Sequence, residues 1–130
     1  MKRKRAKAKH LPKIDFRRID PLQDYYVDEK GNRYSVARLV DDSKHLKPFD
    51  LPIAGIDLSG EIWQGLNMYS LAFHCKRVRD ADLRKPIILD WNGAIADGRH
   101  RIIKAIIEGK KAIKAVRITW AITPCRPAKD

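Results

Sequence analysis

The chain has 130 residues, enough for one domain with a modest core and too few for a second full domain. Hydrophobic residues make up 44% and charged residues 34% of the sequence, as in an ordinary globular protein. No run reaches the roughly 18 apolar residues that span a bilayer, and the N-terminus lacks the apolar segment of a secretory signal. Two cysteines, Cys75 and Cys125, are too few for a disulfide framework or a zinc cluster. We therefore expect a cytoplasmic protein with no membrane partner.

Most of the charge imbalance lies at the N-terminus. The formal net charge is +12, and residues 1–13 carry seven Lys and Arg with no acidic residue. Repelling charges with little apolar surface predict a disordered arm, and a cationic arm favours a polyanionic partner, nucleic acid first. The residues expected to contact DNA or RNA are Lys2, Arg3, Lys4, Arg5, Lys7 and Lys9. The alternative is a solvated tail that only increases solubility.

Residues 14–47 are predicted to form an N-terminal extension, with a hairpin around residues 28–32 and a helix capped by Ser35. Residues 50–58 carry alternating apolar positions and predict a strand. Asn67 is the predicted N-cap of the next helix. The apolar positions of that helix recur at spacings of three and four residues, at Met68, Leu71, Ala72, Cys75 and Val78. This stripe predicts that Cys75 is buried.

The second half of the chain alternates strands with a helix. The Ile-Ile-Leu run at residues 87–89 predicts an interior strand, and Asn92-Gly93 predicts a tight turn into an antiparallel strand over 94–96. A helix follows and ends at Gly109, and residues 112–120 predict the last strand. This order predicts an α+β domain over residues 48–120, with a mixed sheet flanked by helices, and a tail over residues 121–130.

The turn at residues 97–101 carries the chemistry, with the sequence Asp-Gly-Arg-His-Arg between a strand and a helix. Gly98 permits a left-handed turn, and a helix start presents free amide N–H groups and the positive end of its dipole, which bind anions. Arg99, His100 and Arg101 add donors suited to a phosphate. Asp97 is placed to cap the helix, to orient a neighbouring side chain or to approach a bound metal. The alternative is an ordinary Asp-Gly cap followed by a solvated helix face.

Several motifs taken together resemble the ParB/sulfiredoxin-like superfamily. They are Pro-Ile-Ile-Leu at 86–89, the turn at 97–101, Lys-Ala at 104–105, Glu-Gly at 108–109 and Ile-Lys-Ala-Val at 113–116. The resemblance extends upstream to the strand at 51–58, to His74 and Arg77, and to Ala-Asp-Leu at 81–83, covering roughly residues 48–120. It implies a β-hairpin that leads into a helix whose first turn contacts nucleotide phosphates.

The members of this superfamily differ in activity. Partition proteins bind and hydrolyse CTP, sulfiredoxins use ATP with a cysteine directly after the glycine, and others are free-serine kinases or have been described as nucleases. Arg99 stands at the position of the sulfiredoxin cysteine, and the chain lacks the length for the helix-turn-helix region of a partition protein. The resemblance therefore implies a nucleotide or phosphate site, with ATP or CTP and Mg²⁺ as ligands. We expect no zinc, haem or flavin.

Four residues outside the turn are further candidates. His74 and Arg77 lie one helical turn apart, so that both can face one phosphate, although such a pair also occurs as a solvated helix face. Glu61 follows the first strand of the resembling region, and the serine kinases place a catalytic base in this general region. Trp63 can stack on a base or serve as core. The candidate catalytic residues are Asp97, His100 and Glu61.

Asp80 and Asp82 have two interpretations. Their carboxylates can bind Mg²⁺ beside a nucleotide, or they can pair with Arg79 and Arg84. We favour pairing.

Three functions remain open from the sequence. The first is a ParB-like domain that binds a nucleotide or nucleic-acid phosphate at residues 97–101, with the basic arm on DNA or RNA. Any turnover would be phosphoryl chemistry, as in a nucleotide hydrolase or a nuclease. The second is a non-catalytic nucleic-acid-binding module, and the third is a small-molecule kinase of the serine type.

Overall fold

The computed structural model describes residues 11–17 and 24–127, which form a mixed α+β domain, as the sequence predicts. The elements in chain order are β1 (Tyr25–Val27), β2 (Arg33–Ser35), α1 (Val36–Ser43), β3 (Phe49–Pro52), α2 (Met68–Asp80), β4 (Ile87–Leu89), β5 (Ile95–Asp97), α3 (Arg99–Ile107) and β6 (Ala112–Arg117). Most of the predicted arm, including all its candidate contacts at residues 2–9, lies outside the described residues.

The main sheet has the strand order β3-β6-β4-β5. Strand β6 runs antiparallel to β3 and parallel to β4, and β5 returns antiparallel to β4. The predicted interior strand at 87–89 and the hairpin after it are confirmed, and Gly93 makes the turn with a φ of 82°. The smaller sheet pairs β1 with β2.

Strand β4 divides the core into two clusters because successive side chains point to opposite faces of the sheet. Ile88 joins the buried residues of the N-terminal hairpin and α1, among them Tyr26 and Leu39. Ile87 and Leu89 pack on the other face against α3 and β6. The segment before residue 48 therefore shares its core with the sheet.

Two predicted elements differ in the structure. The strand predicted over 50–58 ends at Pro52, and residues Ile53–Gly55 form a 3₁₀ turn instead. Helix α2 begins after Asn67 as predicted, since the side chain of Asn67 accepts a hydrogen bond from the Ser70 amide at 2.8 Å. However, its buried face is different from the predicted stripe.

The stripe predicted for α2 faces outward. Met68 is 90% exposed and Leu71 is 50% exposed, and Cys75 is exposed as well. The helix is anchored by Phe73, which is 9% exposed and packs against the ring of Phe16 with centroids 5.8 Å apart. The prediction that Cys75 is buried is therefore wrong.

Residues that follow β6 pack against the rest of the domain. Ile122 is buried in the cluster that contains Ile88. The amide of Arg33 donates to the carbonyl of Arg126 at 2.8 Å, so the predicted tail pairs with β2. No described helix has the length and apolar character needed to cross a membrane.

Candidate phosphate-binding cleft between α2 and α3

Gly98 sets the geometry of the turn between β5 and α3. Its φ is +115°, in the left-handed range that L side chains rarely adopt. A Cβ at this position would lie 2.7 Å from Cβ of Ile87, so the close approach of the turn to β4 also requires glycine. The sequence-based prediction of a left-handed turn at Gly98 is confirmed.

Gly98 is the N-cap of α3 and has no side chain to cap it, so the helix start keeps its free amide N–H groups. This end of α3 opens on a cleft of about 680 Å³. The turn at 97–101 lines one wall, and α2 lines the other with His74 and Arg77. Lys104 fixes the two helices together, because its ammonium group donates to the carbonyls of Arg79 at 2.9 Å and Ala81 at 2.6 Å. The structure therefore places the predicted phosphate-binding residues around one cavity.

The guanidinium group of Arg101 is held by hydrogen bonds within the protein. Its guanidinium donates to the Asp97 carboxylate at 2.8 Å, to the carbonyl of Lys85 at 3.2 Å and to the carbonyl of Pro86. Its side chain is 16% exposed. These bonds tie the first turn of α3 to Asp97 and to the segment before β4. The residue thus has an architectural role whether or not it also contacts a ligand.

Arg77 and Arg99 differ from Arg101 in their ion-pair contacts. Both line the cleft, and neither takes part in an ion pair within the described part of the chain. Among the described residues, the Arg99 guanidinium donates to the carbonyl of Ile95, at 3.3 Å. Asp24 also lines the cleft, and the positive charge of Arg77 partly offsets the burial and the Asp97 charge that raise the pKa of Asp24. Two arginines are therefore placed to bind an anion beside the uncapped helix start.

The two histidines form a direct pair in the cleft. Nδ1 of His74 lies 2.9 Å from Nε2 of His100. Trp63 stacks on both rings, with its centroid 3.8 Å from that of His74 and 4.9 Å from that of His100. Burial, followed by the nearby positive charge of Arg77, lowers the pKa of His100 to about 4. Burial, followed by the positive charges of Arg77 and Arg17, lowers the pKa of His74 too, so the cleft favours the neutral form of both rings.

Asp80 and Asp82 pair with arginines, as the sequence favours. Asp80 binds Arg79 at 3.1 Å and Lys76 at 3.0 Å, and Asp82 binds Arg84 at 3.0 Å. Among the described residues, no group of three or more His, Cys, Asp and Glu side chains is arranged to hold a metal ion.

Glu61 does not line the cleft with the other candidate catalytic residues. It lines a second, largely apolar groove of about 590 Å³ on the other side of Arg99. Asp24 is an acidic cleft residue that the sequence did not predict. It precedes β1, 73 positions before Asp97, and only the packing of the N-terminal hairpin against the sheet brings it into the cleft.

No protein-family model matches the sequence, and neither a curated protein nor a solved structure matches it.

Proposed function

We propose that the protein binds a nucleotide through its phosphate groups in the cleft between α2 and α3. The observation that carries this proposal is the uncapped N-terminus of α3, which opens on the same cavity as Arg77 and Arg99. A helix start and arginine side chains both favour phosphate, and each charge-assisted hydrogen bond contributes about 1.5–3 kcal/mol. The resemblance to the ParB/sulfiredoxin-like superfamily supports the same ligand class.

The shape of the cleft favours a small ligand over a nucleic-acid backbone alone. Its volume of about 680 Å³ lies within the range of small-molecule sites. ATP or CTP with Mg²⁺ is the expected ligand, with the ion held mainly by phosphate oxygens and approached by Asp97, which lines the cleft. Any turnover would be phosphoryl transfer, with Asp97 and His100, which line the cleft, as the candidate catalytic residues.

Thermal unfolding with separate additions of ATP, CTP, GTP and a short DNA duplex, each with and without Mg²⁺, tests this proposal. A ligand that binds only the folded state stabilises it by about 2.7 kcal/mol at a hundred times its Kd, and the melting temperature rises accordingly. We expect a rise with at least one nucleotide. No rise with any nucleotide would contradict the proposal.

Nucleic-acid binding by the arm is a second candidate function, favoured by the seven cations in residues 1–13. Its test replaces the six cations at residues 2–9 by glutamine in the full chain and measures duplex affinity at several salt concentrations. Each lost phosphate contact reduces the salt slope by about 0.9. An unchanged slope would show that the arm does not contact DNA.

We also propose a reducing, cytoplasmic location for the protein, in which Cys75 and Cys125 stay free thiols.

A further inference from the structure

The contact between His74 and His100 restricts where protons can sit. A hydrogen bond needs one donor and one acceptor, so of Nδ1 of His74 and Nε2 of His100, 2.9 Å apart, only one carries a hydrogen. The ring that donates this bond can take a second proton on its other nitrogen, which is not part of the contact, and the bond stays intact. A proton on each ring would place two N–H groups against each other and break it. The geometry therefore accommodates one extra proton and opposes a second.

The charges around the pair keep that proton away while the cleft holds no anion. Arg17 and Arg77 face the pair from the segment before β1 and from α2, and Arg99 and Arg101 face it from α3. Asp97 is paired with Arg101, and Asp24 is the cleft carboxylate that has no ion pair with a described residue. The remaining charged groups lining the cleft are Lys76, Asp80, Asp82 and Lys85. Burial and these arginines together lower the pKa of both histidines.

We infer that His74 and His100 together take up one proton when a phosphate dianion enters the cleft. This inference rests on the proposed function. A dianion beside Arg77 and Arg99 offsets the positive charge that opposes an imidazolium. Trp63 favours the same change, because the imidazolium would lie against an indole face, with the ring centroids of Trp63 and His74 3.8 Å apart.

The consequence is selectivity for the charge of the ligand. The terminal phosphate of a nucleotide carries close to two negative charges at neutral pH, whereas a backbone phosphodiester carries one. A dianion stabilises the extra proton more strongly, so the histidine pair favours terminal phosphates over the backbone of DNA or RNA. The cleft and the basic arm would then serve different ligands, the cleft a nucleotide and the arm a polyanion.

Sulfate is a suitable probe, because it stays a dianion from about pH 5 to about pH 8, so that a proton taken up on binding goes to the protein and not to the ligand. Titration calorimetry of sulfate into the full chain, in buffers with different ionisation enthalpies, measures the protons taken up. We expect uptake of up to one proton, with an association constant that rises by up to about tenfold for each unit the pH falls. His74→Asn and His100→Asn should each bind sulfate with little proton uptake. The melting temperature of each variant reports whether the fold is retained.

Asp24→Asn is the control, because Asp24 lines the same cleft and also takes up protons as the pH falls. This variant should keep the proton uptake of the wild type. Sulfate binding without proton uptake would overturn the inference and leave the proposed function intact. Proton uptake that persists in both histidine variants and disappears in Asp24→Asn would also overturn it. If neither sulfate nor any nucleotide binds, the proposed function itself fails.

Discussion

The side chain of Ile87 fills the space in which a Cβ on Gly98 would lie. The Cβ of a residue at 98 would be 2.7 Å from Cβ of Ile87 and 3.2 Å from its Cα. Ile87 is fully buried on β4, so neither its side chain nor its backbone can move away without disturbing the core. The site and the core therefore share one tight contact, and the turn that exposes the start of α3 depends on the packing of β4.

Gly98→Ala should destabilise the fold strongly. The added methyl overpacks the contact with Ile87, at about 1–3 kcal/mol, and a left-handed alanine costs about 1–2 kcal/mol more. Gly109→Ala is the matched control, because Gly109 also has a positive φ, of 71°, but open space around it. Urea unfolding should show a larger loss for Gly98→Ala by about 1–3 kcal/mol. Equal losses would contradict the close approach to Ile87.

Arg101→Ala should lower stability as well as any affinity for a ligand. The sequence suggests a donor to phosphate, but the structure gives the Arg101 guanidinium contacts to Asp97 and to two carbonyls. Removing it leaves Asp97 without its cation, at a cost of about 1–3 kcal/mol. Thermal and urea unfolding of the ligand-free variant measure this loss. A melting curve identical to that of the wild type would show that these contacts contribute nothing to the fold.

The orientation of α2 can be tested with two apolar residues on opposite faces. Phe73→Ala should cost about 3–5 kcal/mol, because Phe73 is buried against the Phe16 ring. Leu71→Ala should change the free energy of unfolding by less than about 0.5 kcal/mol, since Leu71 is half exposed. Because this orientation of α2 exposes Cys75, a thiol reagent should label Cys75 in the folded protein. A larger loss for Leu71→Ala, or a protected Cys75, would restore the stripe predicted from the sequence.

The hydrogen bond between Tyr26 and Asp90 makes stability fall at alkaline pH. The Tyr26 hydroxyl donates to the buried Asp90 carboxylate at 2.7 Å, and burial followed by this bond raises the pKa of Tyr26 above its usual value. A raised pKa contributes stability that is complete below about pH 10, where the unfolded tyrosine is protonated, and is lost as the pH climbs toward the folded-state pKa. Tyr26→Phe should lower stability by about 1.5–3 kcal/mol at pH 7 and flatten its alkaline decline. Tyr25→Phe, at an exposed position, should change neither quantity.

Local signals in the sequence predicted the helix starts and the central hairpin. Ser35 and Asn67 cap helices as expected because capping depends on the residue and its near neighbours. The orientation of α2 was not predictable in this way, since its apolar residues occupy two faces and contacts with distant segments, including Phe16 and Lys104, select the face of Phe73. Asp24 was missed for a similar reason, because its place in the cleft depends on packing between segments far apart in the chain.

We propose that Arg77 and the start of α3 bind a nucleotide phosphate. The most direct test is titration calorimetry of the nucleotide that raises the melting temperature most, with wild type, Arg77→Ala and Arg79→Ala. Arg77 lines the cleft and has no ion pair with a described residue, whereas Arg79, two residues further along the same helix, is exposed and paired with Asp80. We predict that Arg77→Ala weakens binding by about ten- to a hundredfold and that Arg79→Ala binds like the wild type. Wild-type affinity in Arg77→Ala, or the same loss in both variants, would contradict the assignment of this cleft.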